Sequence, residues 1–173
     1  MSDTDQREVL WAPWRIEYIT GQKEKGCIFC NRFALTDDRR NLILARGRRS
    51  FVIMNKFPYN NGHLMVAPIR HTGDFSSLTA DEIAEIFAFV QAFMGVFHSV
   101  MKPDGFNIGL NLGKTAGAGV EDHLHVHVVP RWEGDTNFMP VIGEIKVISE
   151  HIQSTYDKLL DAYRTTKLSE ESP

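Results

Sequence analysis

His123, His125 and His127 occupy alternate positions in His123-Leu124-His125-Val126-His127-Val128-Val129-Pro130. An imidazole that titrates near neutral pH can attack phosphorus, donate a proton or bind a metal. The apolar residues between and after the histidines make the run read as a β-strand with period-2 alternation. On a strand, residues i, i+2 and i+4 project from one face, which sets successive rings roughly 6.5–7 Å apart. A lone strand histidine is usually an ordinary surface or core residue. Three in register are costly to cluster, because burial desolvates them and charged neighbours repel. The spacing therefore points to chemistry, either a three-histidine metal site or an imidazole nucleophile with helpers.

A second group is Cys27-Ile28-Phe29-Cys30, which holds both cysteines of the chain. This spacing suggests a metal half-site or a redox pair rather than a structural disulfide. A redox pair of the thioredoxin type stands between a strand and a helix. Here the cysteines follow the polar run Gly21-Gln22-Lys23-Glu24-Lys25-Gly26, which favours metal. Just before the histidine run lies Gly113-Lys114-Thr115-Ala116-Gly117-Ala118-Gly119-Val120. Its backbone N–H groups are unobstructed and suit phosphate oxygens, although a plain turn has the same composition. Lys114 precedes the glycines, so the run is not a P-loop. Asn55 and Asn111 each close a strand candidate, where an amide serves turn chemistry or reaches a ribose hydroxyl or phosphate.

These groups must be held by a fold. Strand candidates at 42–45, 51–55 and 63–69 are joined by short turns and imply an antiparallel meander. From Thr79 to Met101 the pattern turns helical, with Asp81 and Glu82 in the first turn and Lys102-Pro103-Asp104-Gly105 as the stop. Ile83, Ile86, Phe87, Val90, Phe93, Met94 and Phe97 form the stripe expected to cover the sheet. A fourth strand is expected at 106–112, the histidine strand follows, and 149–168 reads as a polar amphipathic helix. The order β-β-β-α-β-β gives an α+β class with an antiparallel sheet. Residues 9–19, with Trp11, Trp14 and Tyr18, read as an arm packed on the body or stacked on a base. Arg39, Arg40, Arg46, Arg48 and Arg49 read as a solvated hairpin rim.

The 173 residues fit one domain. A net charge of −3 gives no global pull toward nucleic acid or anionic membranes, so neither is expected as a partner. No run approaches ~18 continuous apolar residues, which argues against a membrane span. The polar N-terminus has no signal-peptide core, and a cytoplasmic location is expected.

Gly62-His63-Leu64-Met65-Val66-Ala67-Pro68-Ile69-Arg70-His71 and His123-Leu124-His125-Val126-His127-Val128-Val129-Pro130-Arg131-Trp132 resemble the histidine triad (HIT) superfamily of nucleotide hydrolases and transferases. The flanks Trp11-Ala12-Pro13-Trp14-Arg15 and Gly134-Asp135-Thr136-Asn137-Phe138-Met139 resemble its bacterial branch, which includes diadenosine tetraphosphate phosphorylases (ATP adenylyltransferases). The resemblance implies a sheet of about five antiparallel strands with a long covering helix and a C-terminal helix. It divides the chain into an N-terminal arm (1–26), a HIT domain (27–140) and a C-terminal helical extension (141–173). His125 would attack the α-phosphate of a dinucleoside polyphosphate and form a nucleotidyl-histidine. His127 would contact the bridging or leaving oxygen, with His63 behind it. Asn55 would bind ribose, while Asn111, Gly117 and Gly119 would hold phosphate. Relatives that hold zinc place its ligands at the positions of Cys27, Cys30, His71 and His123, so a structural zinc is implied, without an organic cofactor. A homodimer is also implied. The loop Gly117-Ala118-Gly119-Val120 lacks the Ser or Gln of many relatives and leaves only backbone donors. Phosphorolysis is favoured over hydrolysis. A three-histidine zinc hydrolase and a non-catalytic nucleotide-binding module are the competing classes.

Overall fold

The structure, a computed structural model, describes residues 25–135 and 148–170. The expectations for 9–19 and for Thr136–Met139 lie outside the described residues. Short helices α1 (Ile28–Phe33) and α2 (Asp38–Asn41) lead into strands β1 (Ile43–Arg46), β2 (Ser50–Met54) and β3 (Leu64–Pro68). Helix α3 (Ala80–Val100) follows, then β4 (Gly105–Gly109), β5 (Val126–Arg131) and helix α4 (Ile152–Glu170). The five strands form one antiparallel sheet in the order β1-β2-β3-β5-β4. The first three make the expected meander. The histidine strand inserts between β3 and β4, so both of its edges are paired.

Register explains which residues meet. Ile53 pairs with Met65, Met65 with His127, and His127 with Gly109. This row occupies the face opposite Val52, Val66 and Val126, because side chains alternate across a strand. Val66 and Val126 line a small apolar cavity with Ile83 and Ile86, so α3 covers that face. Phe51 shares the His127 face and meets Phe29 of α1 at 6.4 Å between ring centroids. The sheet thus has a core face and a chemical face.

Helix α3 starts in a capping box, where Thr79 Oγ1 accepts from Glu82 N–H and Glu82 accepts from Thr79 N–H. Its buried seam is Ile86, Val90, Phe93 and Phe97, with Val96 beside it. Phe87 sits at the edge of the expected stripe, lining that cavity while 48% exposed. The seam follows i, i+4, i+7 and i+11, so at ~100° per residue Phe87 falls on its flank. By length and composition α3 could cross a membrane; here it packs on β2, β3 and α4. Helix α4 stacks Tyr163 on Phe93 and donates Tyr156 Oη–H to the Ile43 carbonyl.

Of the boundary shifts from the sequence expectation, two bear on the site. β4 runs over Gly105–Gly109 rather than 106–112, and the β5 ladder begins at Val126. His123 and His125 therefore precede the ladder in an extended approach. Its hold is different: Leu124 N–H donates to the Thr72 carbonyl. Much of the arginine cluster is consumed at the rim: Arg39 grips Asp157, Arg46 grips Asp38 and two carbonyls, and Arg49 pairs with Asp81.

Candidate active site and metal cluster

Cys27 is the residue before α1 and Cys30 lies in its first turn. His71 sits just beyond β3, and His123 on the approach to β5. Cys27 Sγ lies 3.2 Å and Cys30 Sγ 3.5 Å from His123 Nδ1. Cys30 Sγ lies 3.4 Å from His71 Nδ1, and the two Nδ1 atoms are 3.3 Å apart. All four ligand atoms fall within 4.8 Å of one another. A tetrahedral zinc with two sulfurs and two nitrogens needs donor separations of about 3.3–3.8 Å, so this donor set fits such an ion. The His123 Nε2–H donates to the Pro68 carbonyl at 2.8 Å, which leaves the lone pair on Nδ1, facing the cluster.

The backbone around this corner is tight. A Cβ on Gly73 would lie 2.4 Å from the Glu121 carbonyl oxygen, so only glycine lets the two segments approach. Arg70 clamps the same segment through a bidentate pair with Glu82. That guanidinium, with the Thr79 N–H, holds the Glu82 carboxyl at about 2.

Two residues beyond His123, the chemistry changes. The His125 Nδ1–H donates to the His123 carbonyl at 2.9 Å. The network thereby assigns the lone pair to Nε2. Burial holds the His125 pKa below the ordinary imidazole value, opposed by that carbonyl bond.

A relay of hydrogen bonds fixes His127. Tyr59 N–H donates to His63 Nδ1 at 3.0 Å, so His63 carries its proton on Nε2. His63 Nε2 lies 2.9 Å from His127 Nδ1 and donates to it. The remaining His127 proton then sits on Nε2, which is buried and has no partner among the described residues. Burial, and next the neighbouring His125, push the His127 pKa down to about 4, so the ring stays neutral. The His125 and His127 rings meet edge-on, centroids 4.8 Å apart, closer than the strand repeat. A lone pair and an unpartnered N–H are thus set side by side.

The other expected residues are distributed around this pair. Asn55 Oδ1 accepts from Phe57 N–H, and its Nδ2 lies 3.3 Å from His63 Nδ1, which places it behind His63. Asn111 is half-buried in the loop after β4. Gly117, with φ +86°, ends a 3-10 turn and gives its N–H to the Lys114 carbonyl, so that amide is already engaged. Of the two glycines expected to hold phosphate, Gly119 keeps its N–H outside that turn. Sequence reasoning passed over Phe29, whose ring packs 4.8 Å from His125, and Tyr59, stacked 4.7 Å from His63. Phe29 was visible only as a residue between two cysteines, and Tyr59 only as part of a turn.

Residues 39–134 match the HIT domain family. The chain is 41% identical over 159 residues to the AP-4-A phosphorylase of Mycobacterium tuberculosis strain H37Rv, covering 87% of this chain and 82% of that protein. It is 31% identical over 97 residues to the bis(5'-adenosyl)-triphosphatase of Dictyostelium discoideum, covering 56% and 64%. The histidine triad nucleotide-binding protein ST2152 of Sulfolobus tokodaii superposes with a TM-score of 0.62 at 27% identity, over 83% of this chain and 93% of that one.

Proposed function

The chain belongs to the HIT domain family, and from that premise we propose that it is an enzyme cleaving dinucleoside polyphosphates through a nucleotidyl-histidine, with orthophosphate as acceptor. The observation that carries this reading is the pairing of the His125 Nε2 lone pair with the His127 Nε2–H. The relatives named for such substrates support it.

In the first step the His125 Nε2 lone pair forms a bond to the α-phosphorus of the bound nucleotide. The P–O bond to the rest of the polyphosphate breaks, and its electron pair leaves with the departing nucleotide. That group is a weak base and leaves without a proton. His127 therefore only stabilises the developing charge, through a neutral N–H already in place. The carbonyl of His123 stabilises the His125 imidazolium-like nitrogen as the bond forms. In the second step an orthophosphate oxygen attacks the same phosphorus, the P–N bond breaks and the pair returns to Nε2. The AMP unit leaves as ADP. Asn111 and the Gly119 N–H are the candidate contacts to phosphate, and Asn55 would reach ribose only by turning away from His63.

Cys27, Cys30, His71 and His123 would hold a zinc ion in a closed site. When bound it supplies structural cross-linking of α1 to the approach of β5, not Lewis-acid chemistry at the substrate. The competing three-histidine metal site is disfavoured by the rings themselves. His123 Nδ1 faces the thiols, while His125 Nδ1 and His127 Nδ1 are taken by a carbonyl and by His63. A homodimer is supported by the exposed edge strand β4, with Ile108 in the open.

Diadenosine tetraphosphate supplied with and without orthophosphate tests the reading. ADP and ATP appearing only with phosphate supports it, while AMP and ATP in both arms makes water the acceptor. Unconsumed substrate in both arms overturns the proposed activity.

A further inference from the structure

Resting on that reading, we infer that Tyr59 is the specificity-determining platform for the leaving half of the substrate, stacking on the base of the nucleotide that departs.

The rings form a row. Phe29 packs on His125, His125 meets His127, His127 meets His63, and Tyr59 stacks on His63 with an interplanar angle of 29°. Tyr59 also lies 5.6 Å from His127. Phosphoryl transfer aligns the incoming and departing groups across phosphorus. The incoming nitrogen is on His125, near the Phe29 end. In the proposed pose the departing oxygen faces the His127 Nε2–H, and Tyr59 is the half-exposed ring beside His127. The two ends differ in access: Phe29 is 1% exposed, whereas Tyr59 is 49% exposed. One aromatic is sealed in the core, and the other is half-exposed beside His63 and His127.

Tyr59 is also held more firmly than an ordinary turn residue. Asn60 Nδ2 donates to the Pro130 carbonyl at 3.1 Å and to Asp135 Oδ2 at 2.7 Å. Thr155 of α4 donates to Asn61 Oδ1 at 3.1 Å. Gly62, at φ +78°, lets the chain turn against Phe97. A ring pre-positioned in this way loses little freedom when a base stacks on it. Aromatic stacking does not read base edges, so the platform accepts any nucleobase and discriminates against leaving groups that have none.

The test compares two donors of the same AMP unit, diadenosine tetraphosphate and adenosine 5'-tetraphosphate, in wild type, Tyr59→Phe and Tyr59→Ala. The backbone N–H to His63 survives both substitutions. For the dinucleotide, Tyr59→Ala is expected to raise KM and to lower kcat/KM about tenfold. Tyr59→Phe should stay within about twofold of wild type. For adenosine 5'-tetraphosphate, whose leaving triphosphate lacks a base, the loss in Tyr59→Ala is expected to be about tenfold smaller than on the dinucleotide. Equal losses on both donors, or no loss on either, overturn the platform while leaving the proposed activity intact. Inability of wild type to cleave either donor overturns the underlying activity instead. Competition by free ATP against the dinucleotide gives a second readout, its inhibition constant rising in Tyr59→Ala and not in Tyr59→Phe.

Discussion

Two groups of imidazoles meet across a single residue, Leu124, and they are built to opposite ends. At the cysteine corner, His123 gives its Nε2–H to Pro68 and turns Nδ1 toward two thiols and His71. In the row beyond, His125 gives its Nδ1–H to His123 and leaves Nε2 with its lone pair. The side chains are identical and the sequence spacing is regular. What separates the two rings is which nitrogen the nearest carbonyl takes. The corner is closed, with four donors around one point, while the row presents an N–H without a partner among the described residues. A closed set of donors favours stability, and an open one favours reaction.

The sharpest way to break this contrast is His125→Asn. It should lower dinucleotide cleavage by on the order of 10³-fold or more. It should also abolish labelling of the protein by substrate carrying a radioactive α-phosphate, while metal content stays at the wild-type value. Persistent labelling would place the nucleophile elsewhere. The corner answers to the opposite readout. Cys30→Ala should abolish binding of the proposed zinc and cost about 3 kcal/mol of stability, a fall of roughly 6–12 °C in Tm. Its activity should drop less than in His125→Asn, because the row keeps all its atoms; an unchanged Tm and zinc content would remove the corner's structural role. The smallest effect concerns protonation. An unfolded histidine charges near 6.5, but His127 in the fold charges only near about 4. Between these values the unfolded chain binds the extra proton, so stability falls as pH drops from 6.5 to 4. His127→Gln should flatten that decline by on the order of 1 kcal/mol, measured by denaturant titration at pH 7 and pH 4.5. Parallel curves for the two proteins would mean that His127 charges normally in the fold.

Much of this was legible because it is periodic. The alternation of His123, His125 and His127, the phenylalanine stripe of α3 and the Cys27–Cys30 spacing announce element type and donor class directly. Legibility failed where non-local geometry decides. The ladder of β5 starts only at Val126, because β3 and β4 supply partners no earlier than Val66 and Gly109. Phe87 carries the right residue type at an adjacent angle and lines the cavity over the sheet only from its edge, half of it exposed. The tautomers depend on carbonyls of Pro68 and His123, which no side-chain pattern encodes. Gly117 looked like a phosphate donor, yet its amide closes its own turn. Tyr59 becomes notable only when folding brings it against His63.

His123 joins the two regions by using different parts of itself. Its ring belongs to the corner and its carbonyl oxygen orients the neighbouring ring. The placement of the cysteine corner and the orientation of the His125 ring therefore depend on one shared residue.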